Sequence, residues 1–203
     1  MSKCVMLDVD GVLVDGRPSD GRRWDHSLFE DLGVSSQALV SEFFAADWSS
    51  IVVGEKELLP ALERTMAKIA PSVKATDLVD YWFRMDSRIV EAVLADCRRL
   101  RRMGVPIYLA TNQERMRARY LMEDMQLSQE VNGIVFSGQL GFRKPQAEFF
   151  RRAAKAIGHD PDQLLLIDDT IANVDRARAA GWQAVHWDGS STLLEIVEGF
   201  IRL

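Results

Sequence analysis

The chain has 203 residues, 47% of them hydrophobic and 27% charged, a balance that excludes a wholly disordered or collagen-like polymer. Its 25 basic and 30 acidic residues leave a net charge of −5, which argues against broad electrostatic binding to nucleic acid or anionic lipid. A chain this long buries roughly 70% of its unfolded surface, so one large domain, or a core with an insertion, needs no disulfide or metal staple.

Cys4 and Cys97 are too few for a disulfide framework or a zinc site, and both lie in apolar-patterned segments that predict buried, reduced thiols. The opening run from Met1 to Leu7 carries one cation, and Asp8 and Asp10 interrupt it before a signal-peptide core can form. No apolar stretch approaches the roughly 18 residues of a membrane-spanning helix. The expectation is a soluble cytoplasmic protein without nucleic-acid or membrane partners. Oligomeric state is left open.

Residues 4–9 read as a short strand, apolar enough to be buried on both faces, that runs into the turn signal Asp10-Gly11. Residues 105–110, 134–136 and 164–167 resemble it, and 184–187 is a weaker fifth. Amphipathic helices separate these runs. Ile89, Val90, Val93, Cys97 and Leu100 share one helical face, with Gly104 as the stop. Residues 116–125, 147–157 and 171–180 fill the other gaps, and 192–201 closes the chain. The cluster Arg98-Arg99-Leu100-Arg101-Arg102 is read as cations opposing a helix macrodipole, in preference to a nucleic-acid patch. Alternating strand and helix predicts an α/β, Rossmann-like parallel sheet flanked by helices.

One interval breaks the rhythm. A parallel crossover needs only a dozen or so residues, and the helix over 89–103 supplies it. Residues 16–86 are therefore surplus. They read as helical, with Leu39, Val40, Phe43 and Phe44 on one apolar face and Leu58, Leu59, Leu62, Met66 and Ile69 on another. The expected division is a core of residues 1–15 and 87–203 with an inserted helical subdomain over 16–86. It leaves from the carboxyl end of the first strand, the edge where open α/β sheets bind ligands.

Four carboxylates lie at predicted strand ends: Asp8 and Asp10 on the first, Asp168 and Asp169 on the strand over 164–167. Two apart on a regular strand, Asp8 and Asp10 face the same side. If the two strands are neighbours, the four acids converge and repel one another unless a divalent cation or a lysine neutralises them. Oxygen-only donors suit Mg²⁺. The plainer reading makes Asp10-Gly11 a turn and Asp168-Asp169 a helix cap. Thr111-Asn112 follows the second strand and Lys144-Pro145 precedes a helix, a hydroxyl, an amide and an ammonium that suit a phosphate dianion. Singly, these read as an N-cap and a solvated loop cation.

In order, Asp8-Val9-Asp10-Gly11-Val12-Leu13-Val14-Asp15, Thr111-Asn112, Lys144-Pro145 and Asp168-Asp169 resemble the four signature motifs of the haloacid dehalogenase-like hydrolases. The resemblance runs from Cys4 to about Trp187. The long insert is similar to the helical cap of the subfamily that holds β-phosphoglucomutase, haloacid dehalogenases and many small-metabolite phosphatases. Gly141-Phe142-Arg143-Lys144-Pro145 and Asp168-Asp169-Thr170-Ile171-Ala172-Asn173-Val174 most resemble phosphatases related to sugar-1-phosphatases and the amino-terminal domain of epoxide hydrolases.

This resemblance implies a Mg²⁺-dependent phosphomonoesterase acting on a small phosphorylated metabolite. Asp8 is then the nucleophile, forming an aspartyl-phosphate, and Asp10 the general acid and base. Asp8, the Asp10 backbone carbonyl and Asp169 hold the metal, and Asp168 acts at one remove. Thr111, Asn112 and Lys144 bind the phosphoryl group. Many members carry an acid where Asn173 stands, which makes the outer metal shell less anionic here. Arg17, Arg22 and Arg23 follow Asp15 in a loop and read as solvated charges, the alternative being contact with a second anionic group. A phosphomutase is the nearest competing reading. A 2-haloacid dehalogenase needs no acid at position 10, because halide leaves unprotonated. A non-catalytic binding protein would not need the full set.

Overall fold

The computed structural model describes residues 3–202; Met1, Ser2 and Leu203, the outermost residues of the expected core, lie outside them. Strand β1 (Cys4–Leu7) opens the fold. The helices α1 (Leu28–Leu32), α2 (Ser36–Leu39), α3 (Trp48–Ile51), α4 (Leu58–Ile69) and α5 (Ala75–Met85) follow before the next strand. Helix α6 (Glu91–Arg102) leads to β2 (Ile107–Thr111), α7 (Arg115–Met122) to β3 (Gly133–Phe136), and α8 (Ser137–Leu140) and α9 (Ala147–Ile157) to β4 (Leu164–Asp168). Helix α10 (Ile171–Ala179), β5 (Gln183–His186) and α11 (Leu193–Arg202) complete it.

The strands form one parallel sheet in the order β3-β2-β1-β4-β5. β1 is central, with Leu7 opposite Leu109 of β2 on one side and Ile167 of β4 on the other. Helices cover both faces, which is why β1 and β4 are apolar at nearly every position. The pleat sorts them: Val5 and Leu7 join a cluster with Val93, Cys97 and Leu100 of α6, while Cys4 and Met6 join one with Phe149 and Phe150 of α9. Both cysteines are free, buried thiols. The arginine run in α6 finds partners on a neighbouring loop, where Arg98 forks on to Glu130 and Arg101 donates to the Gln129 carbonyl.

The helices between 28 and 85 close around a third cluster built on Phe43, Leu58, Leu62, Leu78 and Trp82. Leu39 and Phe43 are buried as expected, but Val40 is 49% exposed. Residues Val40–Phe44 form a π-helical turn, and its extra residue per turn rotates Val40 off the apolar face. The chain leaves the sheet through Val14 and Asp15 and returns beside them. Asp15 N bonds Arg88 O, Val90 N bonds Leu13 O, and Val14 bridges Ile89 in antiparallel fashion. At another contact between these helices and the rest of the chain, Gly54 packs so tightly on α8 that a Cβ there would stand 2.3 Å from the Gly138 carbonyl oxygen. Ser137 Oγ donates to Val52 O at 2.6 Å beside it.

Candidate active site

Strand order reverses at β1, whose neighbours β2 and β4 were made on either side of it, and the carboxyl ends of these three strands open a crevice. A cavity of about 300 Å³ occupies it, lined by Asp8, Asp10, Thr111, Asn112, Lys144 and Asp169 among others. The strand itself stops at Leu7, so Asp8 and Asp10 do not lie on regular β structure as the spacing predicts. Asp8 N still bonds Ile167 O, but from Val9 the chain turns on itself, with Leu13 N and Val14 N both bonding Val9 O. This turn buries Asp8 and leaves Asp10 open to the crevice.

Asp8 Oδ1 accepts from the Val9 amide at 2.8 Å and faces Lys144 Nζ at 2.8 Å. The same ammonium lies 2.6 Å from Asp168 Oδ2, and all three side chains are buried. Asp168 Oδ1 accepts from Thr170 N and Asn173 Nδ2, both at 2.9 Å. Both Asp168 oxygens are thus engaged by protein donors. Asn112 is committed as well: its amide donates to Lys144 O at 3.0 Å and accepts from Lys144 N at 2.8 Å, clamping the backbone that carries the lysine. Thr111 is buried at the end of β2 and lines the cavity.

Asp8, Asp168 and Asp169 each offer a carboxylate oxygen within 4.8 Å of the others. Asp10 stands apart from this trio, its Oδ2 taking a 2.7 Å bond from Gln113 Nε2. A hard, all-oxygen donor set fits a divalent cation such as Mg²⁺. Gly11 leaves room for the Asp169 carboxylate. Its φ is +75°, and a Cβ would stand 2.3 Å from Asp169 Oδ2, so a side chain here would displace that carboxylate.

Electrostatics follow from crowding. Burial pushes the Asp8 carboxyl up to about 7 against the pull of Lys144, and the Asp168 and Asp10 charges add to the rise. Burial also pulls at Lys144, but its two carboxylate partners outweigh this and hold its pKa above the ordinary lysine value. Asp10 is exposed at the crevice, yet the protein crowded around it raises its pKa, while Arg117, Lys144 and the Gln113 bond oppose.

Three polar residues at the site carried no signal singled out from the sequence: Gln113, Arg117 and Asp86. Arg117 is buried and donates to the backbone carbonyls of Phe83 and Asp86, tying α7 to the end of α5. Its guanidinium lies 3.8 Å from the Asp86 carboxylate and over the rings of Phe83 and Tyr120. Burial raises Asp86 to about 6, with Arg117 opposing and Asp10 adding. The available clue was an arginine on the buried stripe it shares with Ala118 and Leu121. Arg17, Arg22 and Arg23 find partners within their own loop: Asp20 and Ser27, Asp20 and His26, and Asp25.

A family model for haloacid dehalogenase-like hydrolases matches residues 2–181. The chain belongs to the haloacid dehalogenase-like hydrolases. Among curated relatives of this hydrolase, a plasmid-encoded phosphoglycolate phosphatase of Cupriavidus necator is 34% identical over 187 residues, covering 87% of this chain and 77% of that one. A fructose-1-phosphate phosphatase of Escherichia coli is 24% identical over 192 residues, covering 89% and 94%. Among solved structures, a family enzyme from Bacteroides thetaiotaomicron in complex with magnesium and inorganic phosphate superposes with a TM-score of 0.79 at 18% identity, covering 97% of this chain and 99% of that one. That likeness shows the shared fold. Among the described residues, no helix is long and apolar enough to cross a membrane.

Proposed function

We propose that this hydrolase is a Mg²⁺-dependent phosphomonoesterase for a small phosphorylated metabolite, working through an aspartyl-phosphate on Asp8. The observation that carries the reading is the buried Asp8–Lys144–Asp168 chain beside Asp169, at the edge where β1 and β4 end. The names of the curated relatives, phosphatases of phosphoglycolate and of fructose 1-phosphate, support it.

Asp8, Asp169 and the backbone carbonyl of Asp10 would hold Mg²⁺, which when bound lets carboxylate and phosphate dianion meet and offsets charge on the transferring group. The chain's own residues supply the rest. Asp8 Oδ1 is pinned by Val9 N and Lys144, which leaves Oδ2 for the phosphorus. As the Asp8 oxygen–phosphorus bond forms, the bond to the leaving oxygen breaks, and the Asp10 carboxyl gives that oxygen its proton. The upward direction of the Asp10 pKa favours the protonated form that a general acid needs. Ionised Asp10 then takes a proton from water, whose oxygen attacks phosphorus. The bond to Asp8 breaks, phosphate leaves, and both carboxyls return to their starting states. Gln113 orients Asp10 through its 2.7 Å bond. Thr111 and Lys144 contact the phosphoryl oxygens. Asn112 serves that group by holding the Lys144 backbone, and Asp168 with Asn173 holds the ammonium from behind.

Residues 16–86 are read as a helical cap over a core of 1–15 and 87–203. Their separate apolar cluster and the paired backbone at 14–15 and 88–90 support this division. The buried thiols suit a reducing, cytoplasmic setting. The test is phosphate release from a panel of phosphorylated sugars, nucleotides and acids, in Mg²⁺ and in EDTA. Metal-dependent release that Asp8→Asn abolishes is expected. Release undiminished in EDTA, or none from any ester, refutes the reading.

A further inference from the structure

Another cavity, of about 460 Å³, lies along α9 and has no lining residue in common with the catalytic one. Its volume falls within the roughly 300–1,000 Å³ of small-ligand sites. The lining is mainly apolar. Phe150 and Ala154, one turn apart on α9, share a side of that helix. Pro161 and Trp182, from the segments that precede β4 and β5, complete the apolar part. Phe150 meets Trp182 edge to face, with ring centroids 5.4 Å apart, which fixes the indole in place.

Trp182 is 4% exposed. Its backbone N–H bonds the Ala177 carbonyl, but among the described residues its indole N–H bonds no acceptor. Indole N–H groups in buried tryptophans ordinarily find a partner. Nor is this one sealed off: among the described residues, the fully buried side-chain polar atom without a hydrogen bond is Arg17 Nε. The cavity is the accessible space that Trp182 borders, so the unpartnered N–H opens on to it.

The rim adds positive charge. Glu148 is the one carboxylate in the lining, and Arg151 Nε and Arg152 Nε each donate to it at 2.8 Å. Lys155, one turn beyond Arg151 and exposed, stands outside this group. His159 donates from Nδ1 to the Ile157 carbonyl, which can only accept, and brings no negative charge. The lining therefore combines an apolar floor, a waiting N–H donor and a cation with no acid of its own.

We propose that this cavity is a second ligand site, separate from the catalytic crevice, for a small carboxylate with an apolar body, of the class of aryl-substituted short-chain acids. The body packs among Phe150, Pro161 and Trp182. One carboxylate oxygen accepts from the indole N–H, and Lys155 on its flexible stem offsets the charge from the rim. The site is independent of the phosphatase reading.

The test is NMR titration of the indole N–H signals, of which the chain's 5 tryptophans give one each. Trp182→Phe identifies the signal from this cavity. 3-Phenylpropionate should shift it saturably, with a Kd of about 1 mM or tighter. 3-Phenyl-1-propanol, the same body without the charge, should bind about tenfold more weakly, the worth of a charge-assisted hydrogen bond. Lys155→Gln, at an exposed position, should weaken the acid about threefold and leave the alcohol unchanged. Ala154→Leu, which fills the cavity, should abolish both; if it fails to fold, the Lys155 variant and the alcohol carry the test. Mg²⁺ with inorganic phosphate should leave the titration unaltered. No shift of the Trp182 signal up to about 10 mM acid overturns the proposal. So do equal affinities for acid and alcohol, unchanged acid affinity in Lys155→Gln, or displacement of the acid by Mg²⁺ and phosphate.

Discussion

Lys144→Met removes the cation that touches both Asp8 and Asp168. Its ammonium lies 2.8 Å from one carboxylate and 2.6 Å from the other, with all three groups buried. Methionine fills most of the volume, so the change is chiefly one of charge. Breaking a buried ion pair costs about 3–5 kcal/mol, because the partner left behind stays desolvated, and here two partners are stranded. Unfolding in urea, followed by circular dichroism in EDTA, should show a loss in that range. Two additions should recover part of it. Mg²⁺ replaces positive charge next to Asp8. Asp168→Asn in the Lys144→Met background removes one stranded charge while its carbonyl still accepts from Thr170 N and Asn173. On its own, Asp168→Asn should be costly, since an amide NH₂ then faces the ammonium. The double variant should therefore be more stable than the sum of the two single losses implies, by about 1–3 kcal/mol. A Lys144→Met protein within about 0.5 kcal/mol of wild type would refute the argument, since losses that small are typical of surface substitutions. Strict additivity in the double variant would refute it too.

Gly11→Ala puts a Cβ where Asp169 Oδ2 now sits and strains a φ of +75°, so Mg²⁺ affinity by titration calorimetry should fall about 10–100-fold, and unchanged affinity would contradict the account. Asp10→Asn should slow hydrolysis of an alkyl phosphate by about 10²–10⁴-fold while slowing the first step with acetyl phosphate less, since acetate leaves without a proton; equal losses in rapid-quench kinetics would exclude Asp10 as the acid. Asp86 has a folded pKa of about 6 against a reference value of 3.8, so the folded state binds the extra proton and this group's ionisation costs stability as pH rises through that interval. Asp86→Asn lacks that cost, and its stability relative to wild type should improve by on the order of 2 kcal/mol between about pH 4 and pH 7; urea midpoints showing a flat or opposite difference would contradict it.

Most of the sheet was legible because a parallel sheet covered on both faces leaves short apolar runs between amphipathic helices. The runs at 4–9, 105–110 and 164–167 fall on β1, β2 and β4, with ends displaced by one or two residues. The surplus between the first two strands marked the insertion, because a crossover needs so few residues. Local pattern could not supply the exact turn after Leu7, where alternation stops and Asp8 and Asp10 part company. Nor could it supply the exposure of Val40, which depends on a π turn inside an apolar run. Long-range polar pairs were least legible. Gln113 meets Asp10 across 103 residues of chain, and Arg117 reaches a carbonyl 34 residues away. Each looks like an ordinary helix-start or surface residue until the fold brings its partner near. Arg22 and Arg23 are exposed loop charges with partners two to four residues away, as expected, whereas the Arg17 side chain is only 13% exposed and reaches Ser27 ten residues on, which local pattern did not supply.

The central claim is that phosphorus passes through Asp8. Acid quench during turnover of a substrate from the panel, followed by peptide mass spectrometry, tests it most directly. The account predicts one phosphoryl group on the peptide holding Asp8, formed within the first turnover, chased away by unlabelled substrate and absent from Asp8→Asn. Steady phosphate release with no phosphoryl group on that peptide, and turnover surviving in Asp8→Asn, would contradict it.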